Sequence, residues 1–226
     1  MDQDLLRERL FEALINGDRP AARAVVQDAA AGLKPAEVVA EVFWPTYELV
    51  EKLFRNDQLT RLAHRMATKL LRTLVDQNAA RLPLAAGGGQ AILAFCGPND
   101  ADELGAQMAV DLVESCGNRV RFAGGGIPAD EIIAQIHETR PDVVLMFASA
   151  PGDLPEIRRM IDQLREIGAV PNLRIVVGGG VFNRAEGLAE EIGAHASASS
   201  PFELVELLAK PFAPPARSTR KTRAAA

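Results

Sequence analysis

The chain has little with which to carry out chemistry. Its 226 residues include only three histidines, His64, His137 and His195, and two cysteines, Cys96 and Cys116. None stands at a spacing that makes a CxxC, an HExxH or another metal-site pattern. There is no Ser-His-Asp set and no P-loop Gly-Lys-Thr. With no nucleophile, base or metal cage to name, an enzyme is not expected, and the cysteines read as two buried free thiols. Long apolar runs are also missing: none approaches the roughly 18 residues of a membrane-spanning helix. The acidic start, Met1-Asp2-Gln3-Asp4, is unlike a signal peptide, so a cytoplasmic protein is expected. Nor is there a basic excess. A formal net charge of −5 argues against nucleic acid as the main partner.

Apolar residues make up 48% of the chain, enough for a packed core. Residues 1–81 read as all-helical. Leu6, Leu10 and Leu14, with Phe11 beside them, form one helix face. Gly17-Asp18-Arg19-Pro20 ends that helix and starts the next, with Asp18 as N-cap. The second helix runs to about Ala31 and stops at Gly32. Pro35 opens a third, which Pro45 should kink or divide. A last helix spans about Leu59 to Arg81, with Leu62, Met66, Leu70, Leu71 and Leu74 on its apolar side. Four helices with short connections predict an antiparallel bundle.

Residues 82–90, Leu-Pro-Leu-Ala-Ala-Gly-Gly-Gly-Gln, read as a linker. From 91 to 210 strands and helices alternate. The strands are expected at 91–96, 119–123, 142–147, 173–177 and, short, near 194–198. Helices are expected at 102–116, 128–139, 153–167, 183–192 and 201–209. This pattern predicts an α/β domain with a five-stranded parallel sheet, flavodoxin-like or Rossmann-like. Residues 211–226, with Pro214-Pro215 and then Arg217, Arg220, Lys221 and Arg223, read as a disordered basic tail.

In such a sheet the loops after the strands build the ligand site. The first loop carries Asp100 and Asp102, which serve either as first-turn acids of a helix or as ligand contacts. Gly105 follows one turn into that helix, where glycine costs about 1 kcal/mol relative to alanine; close approach of a ligand or a backbone accounts for it. The second loop, Gly124-Gly125-Gly126, leads into Asp130-Glu131, which would repel a phosphate. Ser149, after the third strand, offers a hydrogen bond to a ligand or to the backbone. Gly178-Gly179-Gly180, after the fourth, can lie flat against a planar group. The set predicts a wide groove for a flat ligand. His195, at the fifth strand, is expected to face it; His137 reads as a surface residue.

These pieces resemble the cobalamin-binding module of methionine synthase, corrinoid carrier proteins and cobalamin-dependent regulators. The resemblance covers about residues 1–210, a four-helix cap followed by a flavodoxin-like domain. Asp100-x-Asp102-x-x-Gly105 matches the family's signature loop except at the histidine, where Asp102 stands. Ser149 falls at the family's serine after the third strand, and Gly178-Gly179 at its glycine pair. The resemblance implies that these residues line the slot for the buried nucleotide tail of cobalamin. It also implies that the imidazole below the cobalt is missing, since a carboxylate prefers harder ions. In light-sensing relatives a Trp, a Glu and a His lie over the upper face. Phe54 falls near that Trp, and His64 and Arg65 near the Glu-His pair. His64 is therefore either a metal ligand from above or an ordinary bundle residue. The function implied is a cobalamin-binding sensor or regulator with no lower histidine. One alternative is a degenerate cobalamin fold that acts as an interaction module or takes another flat ligand. Another is a corrinoid methyl carrier serving a methyltransferase. A regulatory output would pass through a protein partner or a homo-oligomer.

Overall fold

A computed structural model of the chain describes residues 2–168 and 172–210. The expected basic tail lies outside the described residues. The first helices are α1 (Gln3–Ile15) and α2 (Arg19–Ala30), the latter capped by Asp18, whose side chain accepts from Ala21 N. Next come α3 (Pro35–Val38), a π-helical turn (Val39–Phe43) and α4 (Trp44–Arg55), which run on without a break. The interruption expected at Pro45 is absorbed by that π turn one step earlier. Proline has no N–H for the Glu41 carbonyl, four residues back, and Arg7 Nε donates to it instead at 2.6 Å. Helix α5 (Arg61–Ala79) completes the cap.

Leu6, Leu10, Leu14, Phe43, Leu71 and Leu74 form the centre of the cap core. Leu62 does not join them; it is 69% exposed. Residues spaced by four drift about 40° per step around a helix, so a face extended by fours from Leu70 back to Leu62 rotates out of the core. The buried face is Ala67, Leu70, Leu71, Leu74 and Val75.

Five parallel strands follow: β1 (Ala91–Cys96), β2 (Arg119–Gly125), β3 (Val143–Phe147), β4 (Arg174–Gly178) and β5 (Ala196–Ala198). Their order is β2-β1-β3-β4-β5, the flavodoxin-like arrangement. β3 and β4 are covered on both faces, as their unbroken Val/Ile/Leu/Met runs require. Between the strands lie α6 (Asp100–Ser115), α7 (Ala129–Thr139), α8 (Leu154–Ile167), α9 (Gly180–Asn183), α10 (Leu188–Glu191) and, last, α11 (Pro201–Ala209). The single helix expected over 183–192 is two short ones, separated by Gly187 at φ +78°. Both cysteines are free, but Cys116 is exposed just beyond α6 and Cys96 is only half-buried, so neither is the fully buried thiol expected. No helix of the described residues is long and apolar enough to cross a membrane.

Helix α6 joins the two halves. Leu104, Met108 and Leu112 belong to the cap core, while Ala109, Val110 and Val113 pack on the sheet. A helix apolar on nearly all sides has to be buried on both. The segment before β1 is tied down along it, through Ala85 N to Ser115 O at 3.0 Å and Gly89 N to Gly117 O at 3.2 Å.

The two leucines that the spacing treated alike should separate on truncation. Leu10→Ala is expected to lower stability by about 2–5 kcal/mol and Leu62→Ala by about 0.5 kcal/mol or less. Urea unfolding of the two variants measures the difference.

Candidate functional site

The sheet changes direction at β1, whose two neighbours are β2 on one side and β3 on the other. The crevice outside the carboxyl ends of such strands is where open α/β sheets take ligands. The β1–α6 loop enters it at Gly97. A Cβ on Gly97 would stand 2.5 Å from Asp102 Oδ2 and 3.0 Å from Asp153 Oδ2, so any side chain there would have to displace the Asp102 carboxylate.

Asp102 is 4% exposed. It sits in the first turn of α6, as do Asp100 and Glu103, but Asn99 is the N-cap residue. The Asp102 carboxylate instead accepts from the Ser149 hydroxyl on Oδ1 and from Asn99 Nδ2, at 3.2 Å, on Oδ2. Burial pushes its pKa up. The two hydrogen bonds pull it partly back, and Asp153 and Glu51 push it higher. Capping alone therefore does not describe Asp102. Asp100 turns the other way: its side chain is half-exposed and lies 3.5 Å from Lys69 Nζ.

Gly105 is buried against the cap rather than against open space. A Cβ there would meet Tyr47 Oη at 2.8 Å. The Tyr47 hydroxyl donates to the Ala101 carbonyl at 3.1 Å, and its ring lies 5.2 Å from that of Trp44. Burial, then the charges of Glu51 and Asp102, hold the Tyr47 pKa well above its usual value, so the hydroxyl keeps its proton. Between Gly105 on one side and Gly178, Gly179 and Ser199 on the other lies a slot with a cavity volume of about 30 Å³, room for about one water. Gly179 takes φ +102°, and its absent side chain lets the turn lie against Ala148. Arg184 Nη2 donates to the Ser149 carbonyl at 2.6 Å and fixes the loop that carries Ser149.

Glu51 follows Tyr47 by one turn of α4, on the same face. It holds His64 Nε2 at 2.6 Å, and the His64 ring stacks on Phe54 with centroids 3.8 Å apart and planes 14° from parallel. Phe54 and His64 thus come together, and Glu51 joins them.

The structure brings Asp102, Gly105, Ser149, Gly178 and Gly179 to one cleft. Asp100 does not enter it. His195 is not at the groove: its Nδ1 accepts from Ile175 N at 2.9 Å, near the amino end of β4, the opposite edge of the sheet. Sequence reasoning missed Tyr47, Glu51, Asn99 and Asp153. Tyr47 left one signal, as the only tyrosine of the chain, placed one turn after its only tryptophan.

A family model described as "B12 binding domain" matches residues 90–206, and a second with the same description matches residues 6–77. The dimethylamine corrinoid protein 1 of Methanosarcina acetivorans is 25% identical over 215 residues, 92% of this chain and 100% of that protein. The HTH-type transcriptional repressor CarH of Myxococcus xanthus is 24% identical over 190 residues, 84% of this chain and 62% of the repressor. The solved structure of the Methanosarcina barkeri monomethylamine corrinoid protein shares the fold, with TM-score 0.70 and 15% identity over 91% of this chain and 98% of that one.

Two outcomes follow from the cleft. Gly105→Ala should lower stability by about 1–3 kcal/mol because it drives Tyr47 outward. In a Tyr47→Ala background the same change should instead raise stability, by about 1 kcal/mol of helix propensity; a double-mutant cycle in urea reads the coupling. For Asp102, the folded pKa lies above the unfolded one. The stability linked to its proton is present below the unfolded value and is lost as the pH rises through the folded value. Asp102→Asn should therefore be more stable than the wild type at pH 8, by a margin that shrinks as the pH falls; a margin independent of pH would contradict the assignment.

Proposed function

The chain belongs to the B12-binding domain family, and from that premise we propose that it holds a corrinoid between its helical cap and the carboxyl edge of its sheet, with no histidine below the cobalt, as a sensor or regulator. In this reading residues 1–81 are the cap, 82–90 the connection and 91–210 the cofactor-facing part. The observation that carries it is the state of Asp102. At the position where the family resemblance implies the histidine stands a buried carboxyl that accepts from Ser149 and Asn99.

The donor set does not fit a lower nitrogen ligand. Asp102 offers oxygen only, which suits harder ions than cobalt in a corrin. The Cys96 thiol, pushed up to about 12 by burial and by Glu103 and Asp102, stays protonated and is no thiolate ligand. Among the described residues no group of three or more His, Cys, Asp or Glu is placed to hold a metal ion. The slot does not fit an inserted nucleotide tail either while Tyr47 fills the space beside Gly105. In this reading the glycine turns would support the corrinoid, which would keep its own base. When bound, it would supply a cobalt centre with an exchangeable upper ligand. On the cap side, Phe54 would offer an aromatic face, and His64, held by Glu51, is the candidate upper ligand.

A methyl carrier is the second reading. It is supported by the full-length match to the dimethylamine corrinoid protein and weakened by the absent imidazole. The narrow slot supports a third, an interaction module that has given up the cofactor.

Cobinamide, which carries no base of its own, separates these. In a His64→Ala background the electron paramagnetic resonance spectrum of bound cob(II)inamide should lack nitrogen splitting, and Asp102→His should introduce it. Three-line splitting that persists in His64→Ala would overturn the proposal of a cobalt with no histidine below it, whereas splitting in the wild type that His64→Ala removes would name that residue as the upper ligand. Failure of both cobinamide and cobalamin to bind would favour the interaction module.

A further inference from the structure

A cavity opens at the amino edge of the sheet, at the opposite end of β1 from the cleft. The starts of β1 and β2, the end of α7 and the connection before β1 border it, and its volume is about 680 Å³. That lies within the roughly 300–1,000 Å³ range of small-ligand pockets. Arg119, Arg121 and Arg140 all line it. Arg119 and Arg121 alternate along β2 and so share one face of the sheet, beside Ala91 and Leu93 of β1. Leu93 packs with Ile132 and Ile136 of α7, so Arg140, at the carboxyl end of α7, belongs to the same face.

All three arginines are exposed, and none has an ion pair or side-chain hydrogen bond among the described residues. Two acids line the cavity with them, Glu114 and Asp142, so the cations lead three to two. Asp142 Oδ2 is already committed to Ala91 N, at 2.8 Å. Arg140 is the unusual member. It takes φ +44° and ψ +60°, the left-handed conformation that glycine ordinarily fills at the end of a helix. It also precedes Pro141, and proline disfavours helical backbone in the residue before it. Among the described residues only Asp57 shares a positive φ without being glycine. Backbone held in so disfavoured a state gathers at ligand sites. Arginines on an edge strand guard it against pairing with another sheet, which accounts for Arg119 and Arg121 but not for Arg140. A cation suits the carboxyl end of α7, which accounts for the charge but not for a side chain at the strained residue.

A guanidinium presents a planar fork of donors that matches the oxygens of a phosphate. We propose that this cavity is a binding site for a small organic phosphate ester, whose phosphoryl oxygens are held by Arg119, Arg121 and Arg140 while its hydrocarbon part lies against Leu93 and Pro141. Inorganic phosphate has the charge without the apolar body, and a phenol has the body without the charge. Both should bind more weakly.

The experiment uses the full chain with methyl-labelled leucine and threonine, titrated with phenyl phosphate, inorganic phosphate and phenol. Phenyl phosphate should shift the methyl resonances of Leu93 and Thr139, both at the cavity wall, and bind about 10-fold more tightly than either analogue. Arg119→Gln and Arg121→Gln should each reduce its affinity about 10-fold. Arg140→Gly separates binding from folding. Glycine suits the left-handed backbone, so the thermal midpoint should hold or rise while the affinity falls about 10-fold. Unchanged affinity in Arg140→Gly overturns the proposal, as does the absence of shifts at Leu93 and Thr139. Inorganic phosphate that binds as tightly as phenyl phosphate would mean an adventitious ion only. A phosphotyrosyl peptide that binds far more tightly than phenyl phosphate would make the ligand a protein partner. Either result overturns the assignment to a small organic phosphate.

Discussion

Burial of α6 on two sides is the constraint on which the rest of the molecule depends. Leu104, Met108 and Leu112 anchor it in the cap core, and Ala109, Val110 and Val113 anchor it on the sheet. Its first turn is therefore held at the carboxyl end of β1, where the cleft lies. Asp102 and Gly105 inherit that position. The same clamp brings α4 against α6, so Tyr47 can reach the Ala101 carbonyl and Glu51 can act on Asp102 through its charge. Cap and sheet meet at one helix, and any change at the cleft is felt by both cores.

Within that frame the chemistry is set by oxygen rather than nitrogen. A carboxyl stands where the family resemblance implies an imidazole, and its neighbours accommodate it. Ser149 and Asn99 supply donors, Gly97 gives it room, and Arg184 holds the Ser149 loop from behind. A buried acid with two donors is a settled structural feature. The departure from the family pattern at Asp102 is therefore matched by its surroundings. The proposal of a corrinoid that keeps its own base follows from that environment.

Much of the fold was legible because period and composition are local. The apolar runs of β1, β3 and β4 stand within a residue of the expected strands, and Gly17-Asp18-Arg19-Pro20 marks the helix junction as its residue types require. The failures came where a third dimension decides. Leu62 shares the fourfold spacing of its neighbours but rotates off the core. Gly187 divides the helix expected over 183–192. His195 lies at the amino edge because the short β5 begins after it, which spacing alone does not reveal. At the site, Gly105 announced a close approach but not its author; Tyr47 is 58 residues earlier in the chain and meets it only through the packing of α4 on α6. Glu51 and Asp153 were hidden for the same reason, since acids on helices are usually solvated.

The central claim is that this cleft takes a corrinoid without lending it a protein nitrogen from below. A crystal structure of the chain grown with hydroxocobalamin tests it most directly. The account predicts the corrin across the glycine turns, its dimethylbenzimidazole still on the cobalt, Tyr47 still beside Gly105 and Asp102 still bonded to Ser149. A nucleotide tail seated between Gly105 and Gly178, with a side-chain nitrogen of this chain on the lower face of the cobalt, would contradict it.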